Sequence, residues 1–251
     1  MKRILISNDD GVASPGIHAL AEAVADLGEV WIVAPDREQS AQSHALTMHK
    51  PLRAHEVGER TFGVSGTPAD CVYLGMHHLL PAKPDIILSG INRGSNLGND
   101  VFYSGTFAAA MEGCLQGVAS IAFSLHMKFS PEAFETAKYV ARALTQRVLV
   151  ESLPNRVLLN VNIPSVPRSE LKGIHPAVLG VREYEDMVDA RKDPRGRPYY
   201  WIGGGHDHFA PIPNSDGPLV EQGWATVTPI RPDLTDHAFL PSLERWVQEI
   251  S

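Results

Sequence analysis

The run Arg3-Ile4-Leu5-Ile6-Ser7-Asn8-Asp9-Asp10-Gly11 decides the fold. Its apolar start, Ile4-Leu5-Ile6, reads as a short buried strand that stops at a polar, glycine-containing loop. A helical pattern follows from Pro15, a residue suited to a first turn because the N–H it lacks has no intrahelical partner there. Ile17, Leu20, Val24 and Leu27 recur at helical spacing, and Gly28 stands where a helix stops. Val30-Trp31-Ile32-Val33-Ala34 then predicts a second strand, ending at Pro35-Asp36. Strand, helix, strand in this order opens a parallel α/β sheet.

The rhythm continues outward from there. Thr67 to Leu79 predicts a helix begun by a Thr67-Pro68 cap, Asp85 to Ser89 a strand, and Gly90 to Asp100 a long loop rich in Gly and Asn. Thr106 to Leu115 predicts a helix with small residues on its face, Val118 to Leu125 a strand, and Pro131 opens a longer helix. Val157 to Ile163 is the last core strand, terminated by Pro164. Beyond Pro164 proline and glycine become frequent. Short strand candidates at Ala177 to Val181, Tyr199 to Ile202 and Trp224 to Thr228 replace the strand-helix alternation, and an amphipathic helix from Pro241 to Ile250 closes the chain. This extension is too apolar for a tail, so it packs on the core or on another subunit.

Composition narrows the class. In 251 residues, 43% are hydrophobic and 20% charged, enough for a sizeable core and inconsistent with a disordered chain. Cys71 and Cys114 each lie in an apolar stretch without metal-ligand spacing, which excludes a zinc ribbon and fits a reducing compartment. The apolar run after Met1-Lys2-Arg3 is too short for a secretory or membrane segment, so a cytoplasmic protein without a membrane partner is expected. A net charge of -7, with no segregated basic face, argues against binding duplex nucleic acid.

Ligands of an open parallel sheet bind beyond the carboxyl ends of its strands. Three polar clusters end strands here. The first holds Asp9 and Asp10, whose side chains reach one ion only if the backbone turns, as Gly11 permits; either aspartate could equally cap the next helix. As carboxylates at an exposed strand end, they are expected to add little packing. The second is Asp36-Arg37-Glu38-Gln39-Ser40, continuing to Ser43-His44; taken alone it is an ordinary polar loop, and strand adjacency would bring Ser40 to the aspartates. His44 is a candidate proton donor to a leaving group or a surface histidine. The third runs from Ser89 to Asp100 and on to Ser104-Gly105-Thr106 at a helix start, an anion cradle or a capped connection. Its glycine spacing is neither the dinucleotide fingerprint nor a Walker A loop. Together the clusters offer carboxylate, hydroxyl and amide oxygens, a set that prefers Mg²⁺ or Mn²⁺ and suits phosphoester hydrolysis.

On these residues the chain resembles the SurE (survival protein E) family of 5'/3'-nucleotidases over essentially its full length. The resemblance is carried by Ile6-Ser7-Asn8-Asp9-Asp10-Gly11, Ala34-Pro35-Asp36-Arg37 with Ser40, Gly66-Thr67-Pro68-Ala69-Asp70, Ser89-Gly90-Ile91-Asn92, Asn96-Leu97-Gly98 and Tyr103-Ser104-Gly105-Thr106. Asn160-Val161-Asn162-Ile163-Pro164 and Val227-Thr228-Pro229 belong to it too, whereas Asp189 to Gly205 matches least. It implies a single α/β domain with a Rossmann-like three-layer parallel-sheet core over 1–164. A β-rich C-terminal extension with a terminal helix, over 165–251, would serve a homodimer or homotetramer. It implies one divalent metal ion per subunit, Mg²⁺ or Mn²⁺, on Asp9, Asp10, Ser40 and Asn92, with Asn96, Ser104, Gly105 and Thr106 around the phosphate. The implied reaction is hydrolysis of nucleoside 5'- and 3'-monophosphates, extending in some members to short polyphosphate. Asp9 and Asp10 would be catalytic, one of them accepting the proton of the attacking water. A covalent aspartyl-phosphate is the rival chemistry, and a non-catalytic nucleotide- or phosphate-binding regulator the rival function. Asp233 and His237, four residues apart, are a candidate pair in the extension.

Overall fold

In a computed structural model of the chain, which describes residues 1–126, 129–184, 188–202 and 207–250, β1 (Arg3–Ser7) lies inside a nine-stranded sheet. Ile4 and Ile6 pack into the layer on one face and Leu5 into the layer on the other, all three fully buried, which is the side-chain alternation of a strand covered on both sides. The chain continues through α1 (Pro15–Val24), β2 (Glu29–Pro35), β3 (Ala54–Gly58), β4 (Thr61–Val64), α2 (Pro68–Leu74), β5 (Ile86–Arg93) and α3 (Gly105–Leu115). Then come β6 (Ala119–Leu125), α4 (Pro131–Glu151), β7 (Leu158–Ile163), β8 (Ile174–Pro176), β9 (Arg182–Tyr184), β10 (Val188–Lys192) and β11 (Pro198–Ile202). The last elements are β12 (Asp207–Phe209), α5 (Asp216–Glu221), β13 (Ala225–Ile230) and α6 (Leu240–Ile250).

The sheet order is β3-β4-β2-β1-β5-β6-β7-β13-β8, and the six strands from β4 to β7 run parallel. Ile17, Leu20 and Val24 of α1 and Ala137 and Val140 of α4 pack on Ile4, Ile6, Ile121 and Phe123; Val72 of α2 and Ala109 of α3 pack on Leu5, Val33 and Ile87. Helix, sheet, helix is the expected three-layer α/β arrangement. No helix among the described residues is long and apolar enough to cross a membrane.

Several boundaries differ from expectation for identifiable reasons. α1 ends at Val24, before Gly28, where a Cβ would meet the Lys2 carbonyl oxygen at 2.5 Å; Gly28 serves the close approach to β1, not the helix end. The Thr67 to Leu79 helix is α2, opened by a Thr67/Asp70 capping box and running into a π turn over Gly75–Leu79. β5 continues past Ser89 because a register shift pairs Asn92 with Ser124 and Arg93 with Leu125. The loop after it contains a 3-10 turn at Gly98–Phe102. β3 and β4 escaped the sequence reading: β3 is an exposed edge strand with no apolar alternation to betray it.

The composition change at Pro164 is not an edge of the sheet. β13 pairs antiparallel with β7, Val227 opposite Val161, and β8 adds parallel to β13. The strand expected at Ala177 to Val181 lies instead at β8, three residues earlier; within 177–181 only Val178 bridges, to Ser215. The Asp189 to Gly205 stretch is the hairpin of β10 and β11, its last residues lying outside the described ones. α6 forms as expected and buries none of its residues. His237 and Asp233 do pair, at 2.7 Å, and this bond holds the Asp233 carboxyl down at about 2.

Candidate active site

Parallel pairing of β1 and β2 ends both strands at one rim, where the Gln39 N–H donates to the Asp9 carbonyl oxygen at 2.8 Å. Gly11, at φ +97, turns the chain immediately after Asp10, and the Asn8 amide locks the turn by donating to the Gly11 carbonyl (3.0 Å) and Ser14 hydroxyl (2.7 Å). α1 starts at Ser14 without a side-chain cap, so neither aspartate is spent on capping it.

Asp9 is buried, only 4% exposed, which corrects the expectation of an exposed strand end. The Thr106 hydroxyl donates to its Oδ1 across the start of α3. Burial pushes its carboxyl up to about 6, with the neighbouring Asp10 adding to the rise, against hydrogen bonds from Thr106 and from its own N–H. Gly105 makes this contact feasible, because a Cβ there would lie 2.7 Å from the Asp9 Cβ. Asp10 stands beside it, its carboxyl raised by burial, with Oδ2 accepting from the Arg93 N–H at 3.2 Å.

A cavity of about 270 Å³ opens on this rim. Asp9, Ser40, Asn92, Asn96 and Ser104 line it, so five of the eight expected site residues share one space. Asp10, Gly105 and Thr106 stand behind its wall, the last two as the first turn of α3, whose N-terminal partial positive charge faces Asp9. A larger polar cleft of about 450 Å³, between Lys83 and Arg156, lies at the opposite, amino end of β5, β6 and β7, the wrong end for a ligand of such a sheet.

The donors facing the cavity are hard oxygens. Asn92 ties its Nδ2 to the Gly94 carbonyl (2.8 Å), which leaves Oδ1 available; Ser40 donates to Glu38 (3.0 Å) and keeps its lone pairs. Among the described residues no three His, Cys, Asp or Glu side chains converge. Two carboxylates completed by neutral oxygens are nonetheless a donor set suited to Mg²⁺ or Mn²⁺, which retain water ligands, and a cation there would relieve the buried charge of Asp9.

Sequence reasoning missed the bracing. Asn160 and Asn162, alternating on one face of β7, both donate to the Asn96 carbonyl (2.9 and 3.0 Å), and Asn162 Oδ1 accepts from the Asn96 N–H (2.8 Å). The Asn96 side chain donates to Ser124 (2.8 Å). The i, i+2 asparagine pair in an otherwise apolar strand was the available signal. Asp216, fully buried, accepts N–H bonds from Gly98, Gly180 and Gly217, and burial raises its carboxyl all the same. Asp100, on the cavity wall, accepts from Arg182 and Tyr184 of β9, both at 2.6 Å. His44 is absent from this cavity: its Nε2 meets Glu112 Oε2 at 2.8 Å on the far side of Ser104.

The chain is similar to known proteins over nearly its whole length. The family model described as "Survival protein SurE" matches residues 4–186. A 5'-nucleotidase SurE of Geotalea daltonii is 49% identical over 244 residues, 97% of this chain and 98% of its own. One of Myxococcus xanthus is 51% identical over 247 residues, 98% of this chain and 93% of its own. The crystal structure of the SurE protein from Aquifex aeolicus superposes with a TM-score of 0.86 at 42% identity, covering 97% of this chain and 99% of the other.

Proposed function

The chain belongs to the SurE family, and from that premise we propose that it is a phosphoric monoester hydrolase acting on nucleoside 5'-monophosphates in the cavity around Asp9. The observation that carries the reading is the convergence there of a buried carboxylate, the oxygens of Ser40 and Asn92, and the N-terminal turn of α3. Asp9, Asp10, Ser40 and Asn92 would hold one divalent cation, Mg²⁺ or Mn²⁺, which when bound supplies a Lewis acid for water and for the phosphoryl oxygens.

The chain's own groups do the rest. Ser104, Gly105 and Thr106 present the positive end of α3 to the phosphoryl oxygens, and Asn96, braced by β7, contacts the phosphate from the opposite wall. Thr106 fixes one carboxylate oxygen of Asp9, so the group is held in place as it orients the attacking water and takes its proton. The new P–O bond forms as the ester P–O bond breaks, and the leaving ester oxygen takes a proton from solvent water, giving nucleoside and phosphate. Exposed Tyr200, Trp201 and Ile202 on β11 and Trp246 and Ile250 on α6 support a dimer or tetramer built through the extension, which solution mass measurement tests.

Phosphate release from 5'-AMP, 3'-AMP and short polyphosphate, with Mg²⁺, Mn²⁺ or a chelator, is the direct test. Metal-dependent release from 5'-AMP is expected; no release with any divalent ion would leave a nucleotide-binding regulator as the better reading. Labelled phosphate trapped on the protein during turnover would replace attack by water with an aspartyl-phosphate route.

A further inference from the structure

Behind Ser104, and sharing it with the Asp9 cavity, lies a second cavity of about 240 Å³ of different character. Its walls are apolar, with Val101, Phe102, Phe107, Met111 and Leu234 among them, and His44 is the ring that brings a polar edge. Phe102 is 60% exposed. It ends a 3-10 turn that is not free to swing: the Gly98 N–H is bound by Asp216, and Asp100 by Arg182 and Tyr184. A rigid turn that holds a phenyl ring in water leaves a stacking face unused. The His44 ring is oriented by one bond. Its Nε2 is held by Glu112, a carboxylate 3% exposed that also accepts from Gln116 at 2.9 Å, and no described residue partners Nδ1.

We propose that this cavity seats the nucleobase of the substrate whose phosphate occupies the Asp9 cavity, with the heterocycle against Phe102 and His44 addressing its polar edge. The inference rests on the phosphomonoesterase reading of the neighbouring cavity. Ser104 as a shared wall residue is what selects a nucleotide as occupant: one molecule would present an anionic group on one side of that residue and a flat, largely apolar ring with a polar rim on the other. Aromatic faces accept any base by stacking, and a single imidazole adds only a modest preference.

Two esters separate the readings: 5'-AMP, and ribose 5-phosphate, which lacks the base. In Phe102→Ala the ratio of kcat/KM for AMP to that for ribose 5-phosphate should fall about tenfold, chiefly through KM for AMP. Leu234→Trp, at an exposed position that tolerates bulk, should lower the same ratio by filling the cavity. Adenosine should compete with ribose 5-phosphate in the parent and much less in Phe102→Ala. Equal losses on both esters, or a parent indifferent to adenosine, would overturn the proposal while leaving the phosphatase intact. A parent that hydrolyses neither ester would sink the phosphatase reading instead. Calorimetric binding of AMP, weakened in Phe102→Ala, would then still uphold the base cavity, and absence of AMP binding would overturn it.

Discussion

One wall of the Asp9 cavity is cross-braced and buried, the other is an exposed loop. Asp9, Asn96, Ser104 and Thr106 are all buried, and each is bonded to a neighbouring element. Ser40 and its followers to Lys50 form no regular element, and few bonds tie them down: Ser40 to Glu38, the Ser43 N–H to Tyr103, Thr47 to Asp70, His44 to Glu112 and the Ala45 carbonyl to Thr67. The proposed site, which would fix an ester's phosphorus yet admit and release a ligand, benefits from this division. Positioning comes from the rigid wall, and the local openings that cost least free energy belong to the loop.

The contrast breaks first if Asp9 can be dispensed with. Asp9→Asn is expected to lower kcat by about three orders of magnitude or more while the melting temperature holds or rises, because the fold already disfavours its charge. A pH series with chelator present reads the same point. The Asp9 carboxyl stands at about 6 against an ordinary 3.8, so its stabilising protonated form is fully present below the ordinary value and is lost as pH rises through about 6. The parent should therefore lose on the order of a few kcal/mol across that window relative to Asp9→Asn, and added Mg²⁺ or Mn²⁺ should recover part of it. A flat difference curve would mean that Asp9 carries no buried charge.

Bracing comes next in size. Asn162→Val removes two bonds to the Asn96 backbone and should cost roughly 10- to 100-fold in kcat/KM and about 1–3 kcal/mol of stability by denaturant unfolding, since the Asn96 N–H is left buried and unpaired. Asn162→Val with parental activity would show that the rigid wall is rigid for some other reason. Smallest is the loop: Ser40→Ala should cost about tenfold or less in rate, with stability inside roughly 0.5 kcal/mol. A larger loss there would move the loop into the rigid half of the comparison.

Legibility followed the same division between local and distant cause. β1, its aspartates and the parallel order could be read because apolar runs, a turn glycine and strand ends are local signals, and adjacency of β1 and β2 carries Ser40 along. The braces could not. Asn162 reaches back 66 residues to Asn96, and Asp216 reaches 118 to Gly98, and no periodicity encodes a register over such spans. Asp216 stands in a stretch to which the sequence reading assigns no element. His44 stood open between a proton donor and a surface histidine for the same reason: its position after the Ser40 loop says nothing of its partner on α3, beside the other cavity. Pro164 was a composition boundary only, because β13 carries its own apolar alternation back to β7.

That return of β13 sets an order of events at the ribosome. At roughly 5–20 residues per second, the stretch between Ile163 and Ala225 takes on the order of several seconds to emerge, and meanwhile β7 waits with one row of amides and carbonyls unclaimed. A nascent chain stalled or cut in that interval would carry a raw sheet edge, able to recruit the same edge of a neighbour on the same message. β13 thus supplies the strand that covers the open edge of β7, the last of the parallel core strands in chain order.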